Sequence, residues 1–194
     1  MCIVFFGLYM KGCLVIIAGF TCSGKSRLIN YMLSRYPEQC EIITTYTTRP
    51  PRDGEKSGDS SGYVFLSEKE YLSRKAQSQV WDEMDLGEFF YASDPNQVHE
   101  RVHSGMIVLS PMLLKPIALG QKMGDLYRGV PRKLFLFSTP HAECMKRAQA
   151  ERSAERIRIL RKEESLAHFQ PQWITDWFDW RSSLTELSEK VLKK

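Results

Sequence analysis

Two groups of residues in this chain have the types and spacing to handle phosphate. The first is Gly19-Phe20-Thr21-Cys22-Ser23-Gly24-Lys25-Ser26, which fits the pattern G-x-x-x-x-G-K-[ST]. Glycines let backbone N–H groups turn onto phosphate oxygens, and a helix opening at Lys25 adds its positive N-terminal end. Lys25 would neutralise the β/γ-phosphate oxygens of a nucleoside triphosphate, and the Ser26 hydroxyl would be a Mg²⁺ ligand. Gly19, Thr21, Cys22, Ser23, Gly24, Lys25, Ser26 and Arg27 are therefore the residues expected against the phosphates of that nucleotide. The second group is Arg49 and Arg52, three apart on a loop stiffened by Pro50 and Pro51. Two guanidinium groups so placed can grip one phosphate through paired charge-assisted bonds. Tyr63 and Tyr91 could add hydroxyl donors to it. A solvated basic loop without a ligand would carry the same arginines. A third set, Arg147, Arg152, Arg156, Arg158 and Arg161, is interleaved with Glu151, Glu155, Glu163 and Glu164. By itself it reads as a charged helix face with pairs along it.

The elements that must hold these groups follow from periodicity. Leu14–Ala18 is continuously apolar, as in a strand buried on both faces, and runs into the loop. Lys25–Tyr36 has helical spacing in Leu28, Ile29, Met32 and Leu33, and Pro37 ends it. Glu41–Thr45 reads as a second strand. Tyr46–Gly62, rich in Thr, Arg, Pro, Gly and Asp, reads as an exposed functional loop. Tyr63–Leu66 and Val80–Met84 read as strands around a helix at Ser67–Gln77, with Ser67 as N-cap and Glu70 three residues on. A helix at Pro95–Ser104, strands at Met106–Ser110 and Lys133–Ser138, a helix from Pro140 and a last helix at Ser182–Leu192 complete the pattern. Strands alternating with helices predict a parallel sheet covered on both faces.

The 194 residues suffice for one sizeable core, and the net charge of +4 does not choose between an anionic small ligand and nucleic acid. Five cysteines without metal-type spacing suit free thiols in a reducing compartment. Met1–Met10 is apolar but has no basic flank of a signal peptide, and Met10 is an alternative start. No apolar run is long enough to span a bilayer, so a cytoplasmic protein is expected.

Thr44-Thr45-Tyr46-Thr47-Thr48-Arg49-Pro50-Pro51-Arg52-Asp53-Gly54-Glu55, then Gly62-Tyr63-Val64-Phe65, and later Tyr91-Ala92-Ser93, follow the phosphate loop at telling distances. From about Leu14 to Arg152 the chain resembles the guanylate kinase family. The resemblance implies a P-loop three-layer α/β/α fold with a parallel central sheet, in one domain. Its core would cover about 11–44, 98–148 and 166–194, with an acceptor-binding subdomain at about 45–97 and a lid at about 149–165. It also implies ATP and Mg²⁺ as cofactors and GMP as acceptor, with no nucleic-acid or membrane partner, in a monomer or homodimer. Arg49, Arg52, Tyr63 and Tyr91 would hold the acceptor's 5′-phosphate, and Thr45, Asp82 and Ser93 would surround its base. Lid arginines would close over the transferring phosphate; Arg152 aligns best, with Arg147 and Arg161 near matches. Lys25, Arg49 and these three would be the catalytic set.

Three features depart from that pattern. Cys22 replaces a glycine usual in the loop. Pro111-Met112-Leu113 stands where the family has an Asp-x-Asp pair, one aspartate serving Mg²⁺ and the other the guanine amino group. Asp82 is shorter than the usual Glu, so guanine selectivity stays open. The family's final apolar strand is not visible; Trp173, Trp177, Phe178 and Trp180 occupy the region and read as a packing cluster. Besides a nucleoside monophosphate kinase, the residues admit a kinase for another phosphorylated small molecule. They also admit a binding module that has lost turnover. Either enzyme reading requires the two phosphate-gripping groups to face one cleft.

Overall fold

Cys13–Ala18 forms strand β1, and its side chains alternate between two cores. Leu14, Ile16 and Ala18 enter one cluster of buried residues, Val15 and Ile17 the other. Only a strand covered on both faces does this, and it explains the unbroken apolar run. The computed structural model describes residues 12–52, 54–58, 62–85, 89–113, 129–164, 176–179 and 181–193; Trp81, Asp82, Met84, Asp85, Pro95 and Trp177 are described by their backbone only.

The remaining elements follow in chain order as α1 (Lys25–Arg35), β2 (Cys40–Ile42), β3 (Thr45–Thr47), β4 (Tyr63–Phe65), α2 (Glu68–Ala76), β5 (Trp81–Asp85), β6 (Phe90–Ser93), α3 (Pro95–His103), β7 (Ile107–Met112), β8 (Arg132–Phe137), α4 (His141–Ala150), α5 (Ala154–Glu163), β9 (Asp176–Phe178) and α6 (Leu184–Leu192). The central sheet has the order β2-β7-β1-β8-β9, with every pairing parallel. Val98 and Val102 of α3, Cys144 and Ala148 of α4 and Leu160 of α5 pack with one cluster. Leu28, Ile29 and Met32 of α1 and Leu187 and Val191 of α6 pack with the other. This is a three-layer α/β/α architecture, as the sequence predicts.

A second sheet, β4-β3-β6-β5, is mixed: β3 pairs parallel with β4 and antiparallel with β6. Helix α2 belongs with it, since Tyr71 is fully buried and stacks on Phe90 at 5.2 Å. Ser67 and Glu70 form the expected capping box at the start of α2, and Ser183 and Glu186 form another on α6.

Four sequence readings need correction. Glu41–Thr45 is not one strand: β2 ends at Ile42, the Ile43 N–H donates to the Leu109 carbonyl, and Thr45 opens β3 of the second sheet. Tyr46–Gly62 is not wholly an exposed loop, because Tyr46 and Thr47 are buried in β3 and Arg49 is 3% exposed. Phe90–Ser93, read as no element, is β6. A C-terminal strand does exist: Asp176–Phe178 pairs parallel with β8. Phe178 anchors it by stacking on Phe135 at 4.5 Å and meeting Phe137 edge-on at 5.3 Å. Trp173 and Trp180 lie outside the described residues, as does the Trp177 side chain.

Phe178 is fully buried in this aromatic contact, so Phe178→Ala should lower stability by about 3–5 kcal/mol. Denaturant titration of both proteins measures it; a loss below about 1 kcal/mol would show that β9 is not anchored this way.

Candidate active site

The loop that joins β1 to α1 is held by its backbone. Gly19 N–H donates to the Met112 carbonyl at the end of β7, and Ser23 N–H turns back to the Phe20 carbonyl. Thr139 Oγ1, at the end of β8, donates to the Ser23 carbonyl at 2.8 Å. A Cβ at Gly19 would stand 2.8 Å from Ser23 Oγ and 3.1 Å from Phe137 Cβ, so the tight turn requires glycine. Gly24 caps α1 at φ 111 with no side-chain acceptor. The first amides of α1 are thus left without an intrahelical partner, as an anion site requires.

Lys25 lies inside this loop. Its Nζ donates to the carbonyls of Gly19 at 2.9 Å and Phe20 at 2.7 Å. Burial pushes its pKa down to about 8, against the opposing pull of Glu163. Ser26, beside it, is exposed on the first turn of α1. Cys22 has φ 62, in the left-handed region where glycine is at ease and other residues are strained. Its carbonyl accepts from Arg147 Nη1 at 3.2 Å, and its thiol lies 4.0 Å from Arg156 Nη1.

The arginine loop is pre-shaped by Glu55. Its carboxylate pairs with Arg49 Nη1 and accepts the Arg52 N–H at 2.8 Å. Arg49 lies with its guanidinium carbon 5.3 Å from the ring centroids of both Tyr63 and Phe65. Burial works against its charge, yet Glu55 and the neighbouring tyrosines keep its pKa above the ordinary arginine value. Burial also raises the pKa of Tyr63 and of Tyr91, with Arg49 opposing, so both present O–H donors at neutral pH.

These parts meet. One cleft of about 820 Å³ is lined by the loop from Thr21 to Arg27 and, opposite, by Thr45, Arg52, Tyr63 and Tyr91. Arg147, Arg156 and Arg181 also line it, with Glu151 and with Pro111–Leu113 from the end of β7. Gly19 and Arg49 back the cleft without lining it. Ser93 is buried in β6, paired in register with Thr45. Asp82 belongs to β5, and its side chain lies outside the described residues.

The arginines after α4 are placed differently from the expectation. Arg152 is exposed at the α4–α5 junction with φ 52 and does not line the cleft, and Arg161 is exposed as well. Arg156 lines it instead, ion-paired with Glu151. Ser153 caps α5 and so sets its register; Arg161, five residues past Arg156, points about 140° away around the helix. Ser153 as N-cap is the local signal that puts Arg156 of the five arginines toward the cleft and Arg161 away from it. Arg181 was missed outright, because it precedes α6 without any motif. Arg52 carries an unforeseen partner, Glu155 of α5, at 2.9 Å.

A phosphate loop between a parallel strand and a helix, facing a cationic cleft, defines a P-loop α/β nucleotide-binding fold of the kinase type. The family model for guanylate kinase matches residues 11–177, and the chain belongs to the guanylate kinase family. It is 32% identical over 100 residues to the guanylate kinase of Nostoc sp., covering 52% of this chain and 49% of that one. It is 28% identical over 144 residues to that of Synechococcus elongatus, covering 74% of each. The chain thus spans about half the length of the first relative in its match. Guanylate kinase from Anaplasma phagocytophilum has the same fold, with a TM-score of 0.64 at 17% identity over 94% of this chain and 83% of that one.

The left-handed backbone at Cys22 can be tested on stability. Cys22→Gly should leave the melting temperature unchanged or raised, while the β-branched Cys22→Val should cost about 1–2 kcal/mol. Equal losses for both would mean that packing of the thiol, not backbone strain, decides this position.

Proposed function

We propose that this protein transfers the γ-phosphoryl group of ATP to a nucleoside monophosphate, with GMP the favoured acceptor. The observation that carries the reading is the single cleft in which Lys25 and Ser26 stand opposite Arg52, Tyr63 and Tyr91. A nucleotide switch or simple NTPase has no use for a second phosphate clamp. Phosphoryl transfer needs in-line positioning and charge neutralisation rather than covalent help. The loop amides and Lys25 would hold the β- and γ-phosphates. Arg52, Tyr63 and Tyr91, backed by Arg49, would fix the acceptor's 5′-phosphate. Arg147 and Arg156, already on the Cys22 segment, would balance charge on the transferring group. Helix α5 and its N-terminal junction would form the lid, and the second sheet the acceptor-binding part.

Mg²⁺ fits this site with one protein ligand. Ser26 offers a hydroxyl, the end of β7 at Pro111–Leu113 offers no carboxylate, and no group of three or more His, Cys, Asp or Glu converges among the described residues. Mg²⁺ commonly keeps several waters and binds substrate phosphates, so phosphates and water would complete its shell. When bound, it would spread negative charge between the β- and γ-phosphates. The same bare strand end favours a second reading, a binding module that recognises a phosphorylated partner without turnover.

ADP release with ATP and Mg²⁺ across GMP, dGMP, AMP, UMP and CMP separates the two. Turnover should be stimulated most by GMP. Lys25→Ala should lower it on the order of 100-fold or more, and Arg52→Ala should chiefly raise the acceptor KM. Arg49→Ala is a poorer probe, since it strips Glu55 of its buried partner and would loosen the loop. ATP binding with no acceptor-stimulated release would favour the binding module.

Lys25 adds a pH signature. A phosphate beside its ammonium must raise the depressed pKa, so the bound form holds a proton that the free form has partly lost. Calorimetry at pH 8 in buffers of different ionisation enthalpy should find ATP binding coupled to uptake of about half a proton. The uptake should vanish near pH 6.5, where both forms are protonated, and in Lys25→Ala. Proton release at pH 8 would contradict this account of the loop.

A further inference from the structure

Helix α5 is fastened at both ends. Near its C-terminal end Leu160 is buried in the core, and Glu163, 3% exposed, accepts the Thr21 N–H of the phosphate loop at 3.2 Å. Near its N-terminal end Glu155 reaches the arginine loop, where one oxygen, Oε2, accepts from Arg52 Nη2 at 2.9 Å and Nε at 3.3 Å. The helix therefore straddles the cleft from one phosphate-gripping element to the other.

The contact at Arg52 is an incomplete match. Glu155 Oε1 is buried with no hydrogen-bond partner among the described residues, and so is Arg49 Nη2 in the same cluster. The Arg49 guanidinium lies 5.3 Å from the Tyr63 ring, the Tyr63 and Tyr91 rings are 6.3 Å apart, and both tyrosines line the same cleft as Arg52, the partner of Glu155. A carboxylate presents two oxygens to this set where a phosphomonoester presents three, with more negative charge. A third oxygen could meet the orphaned Arg49 donor once Glu155 has left, since Arg49 stands directly behind the cleft wall at Tyr63.

Resting on the acceptor reading above, we propose that Glu155 is an internal stand-in for the acceptor's phosphate, which holds the clamp in the unliganded chain and is displaced when a phosphomonoester binds. Displacement frees only the first turn of α5, because Leu160 and Glu163 keep the other end in place. The junction at Arg152, already in the left-handed region, and Ser153 is where the chain would pivot. Arg156, next to Glu155, moves with that turn. Arrival of the acceptor is thereby coupled, through one ion pair, to the arginine that reaches the phosphate loop at Cys22.

The test compares the whole chain with E155Q, an isosteric change that removes the competing charge. Calorimetric titration uses two probes, GMP and ribose 5-phosphate, since the contact concerns the phosphate alone. E155Q should bind ligands of this site about three- to fivefold more tightly, the range open to a partly exposed ion pair. In hydrogen exchange, the first-turn amides of α5 in free E155Q should exchange as they do in the ligand-bound wild type. A circular-dichroism melt establishes that both proteins are folded. If GMP is turned over and E155Q binds it no more tightly, the stand-in is overturned while the kinase reading survives. If ribose 5-phosphate gains affinity in E155Q but neither protein binds GMP, the stand-in holds and the acceptor reading falls. Failure of both proteins to bind either probe overturns both.

Discussion

The donors at the start of α1 have no acceptor within their own helix, and the rest of the site is arranged around that fact. Gly24 supplies no capping side chain, and its φ of 111 turns the chain so that those amides face the cleft. A helix end left bare is unfavourable unless water or an anion meets it. β1 delivers the loop, the register of β1 against β7 fixes its first residue through the Gly19–Met112 bond, and Thr139 at the end of β8 fixes its middle. Lys25 folds back onto two loop carbonyls, where burial makes its charge harder to keep. The loop is held as a receptor for negative charge by packing that lies behind it.

The same logic extends across the cleft. Its lining includes the cations Lys25, Arg27, Arg52, Arg147, Arg156 and Arg181 and, among acids, only Glu151, counted over the described residues. Bringing like charges so close is unfavourable. The helices and loops that carry several of these arginines also carry carboxylates to hold them: Glu143 for Arg147, Glu151 for Arg156 and Glu155 for Arg52. Such half-exposed pairs are weak, and this suits the task. They fix the positions of the guanidinium groups, yet a polyphosphate can replace them without a large penalty.

How much of this was legible in the chain depended on whether the chemistry was written locally. The phosphate loop was, because residue type and spacing alone make the turn and the charge. So were β1, with its unbroken apolar run, and α2 and α6, whose Ser-x-x-Glu caps act within one turn. β3, β6 and β9 were not: three or four residues of mixed polarity become strands only through their neighbours in the sheet. The burial of Arg49 is not legible, since arginine is seldom buried and here it depends on Glu55 and on two rings that a linear reading does not assemble. The run from Arg147 to Glu164 was legible only in part for a related reason. With so many arginines, residue type could not set the register of α5, and Ser153, which does set it, looks unremarkable in sequence.

The end of β7 separates scaffold from selectivity. Met112 is in register with Ala18 and accepts the Gly19 N–H through its backbone, so any side chain at this position leaves the loop supported. Pro111 and Leu113 beside it likewise line the cleft without changing the strand order. Side chains there can therefore change while the backbone support of the loop persists. The groups proposed above to grip phosphate are backbone amides and arginines, and the amides are tied to the architecture. On the same reading, whatever the acceptor phosphate carries would be recognised by side chains that the architecture does not constrain. The wall of proline, methionine and leucine at the end of β7 offers no carboxylate; on the acceptor reading proposed above, selection of a base would fall to Thr45 and the second sheet. The phosphate loop is thus tied to the architecture through backbone bonds, while the side chains at the end of β7 are the part of the cleft most open to change.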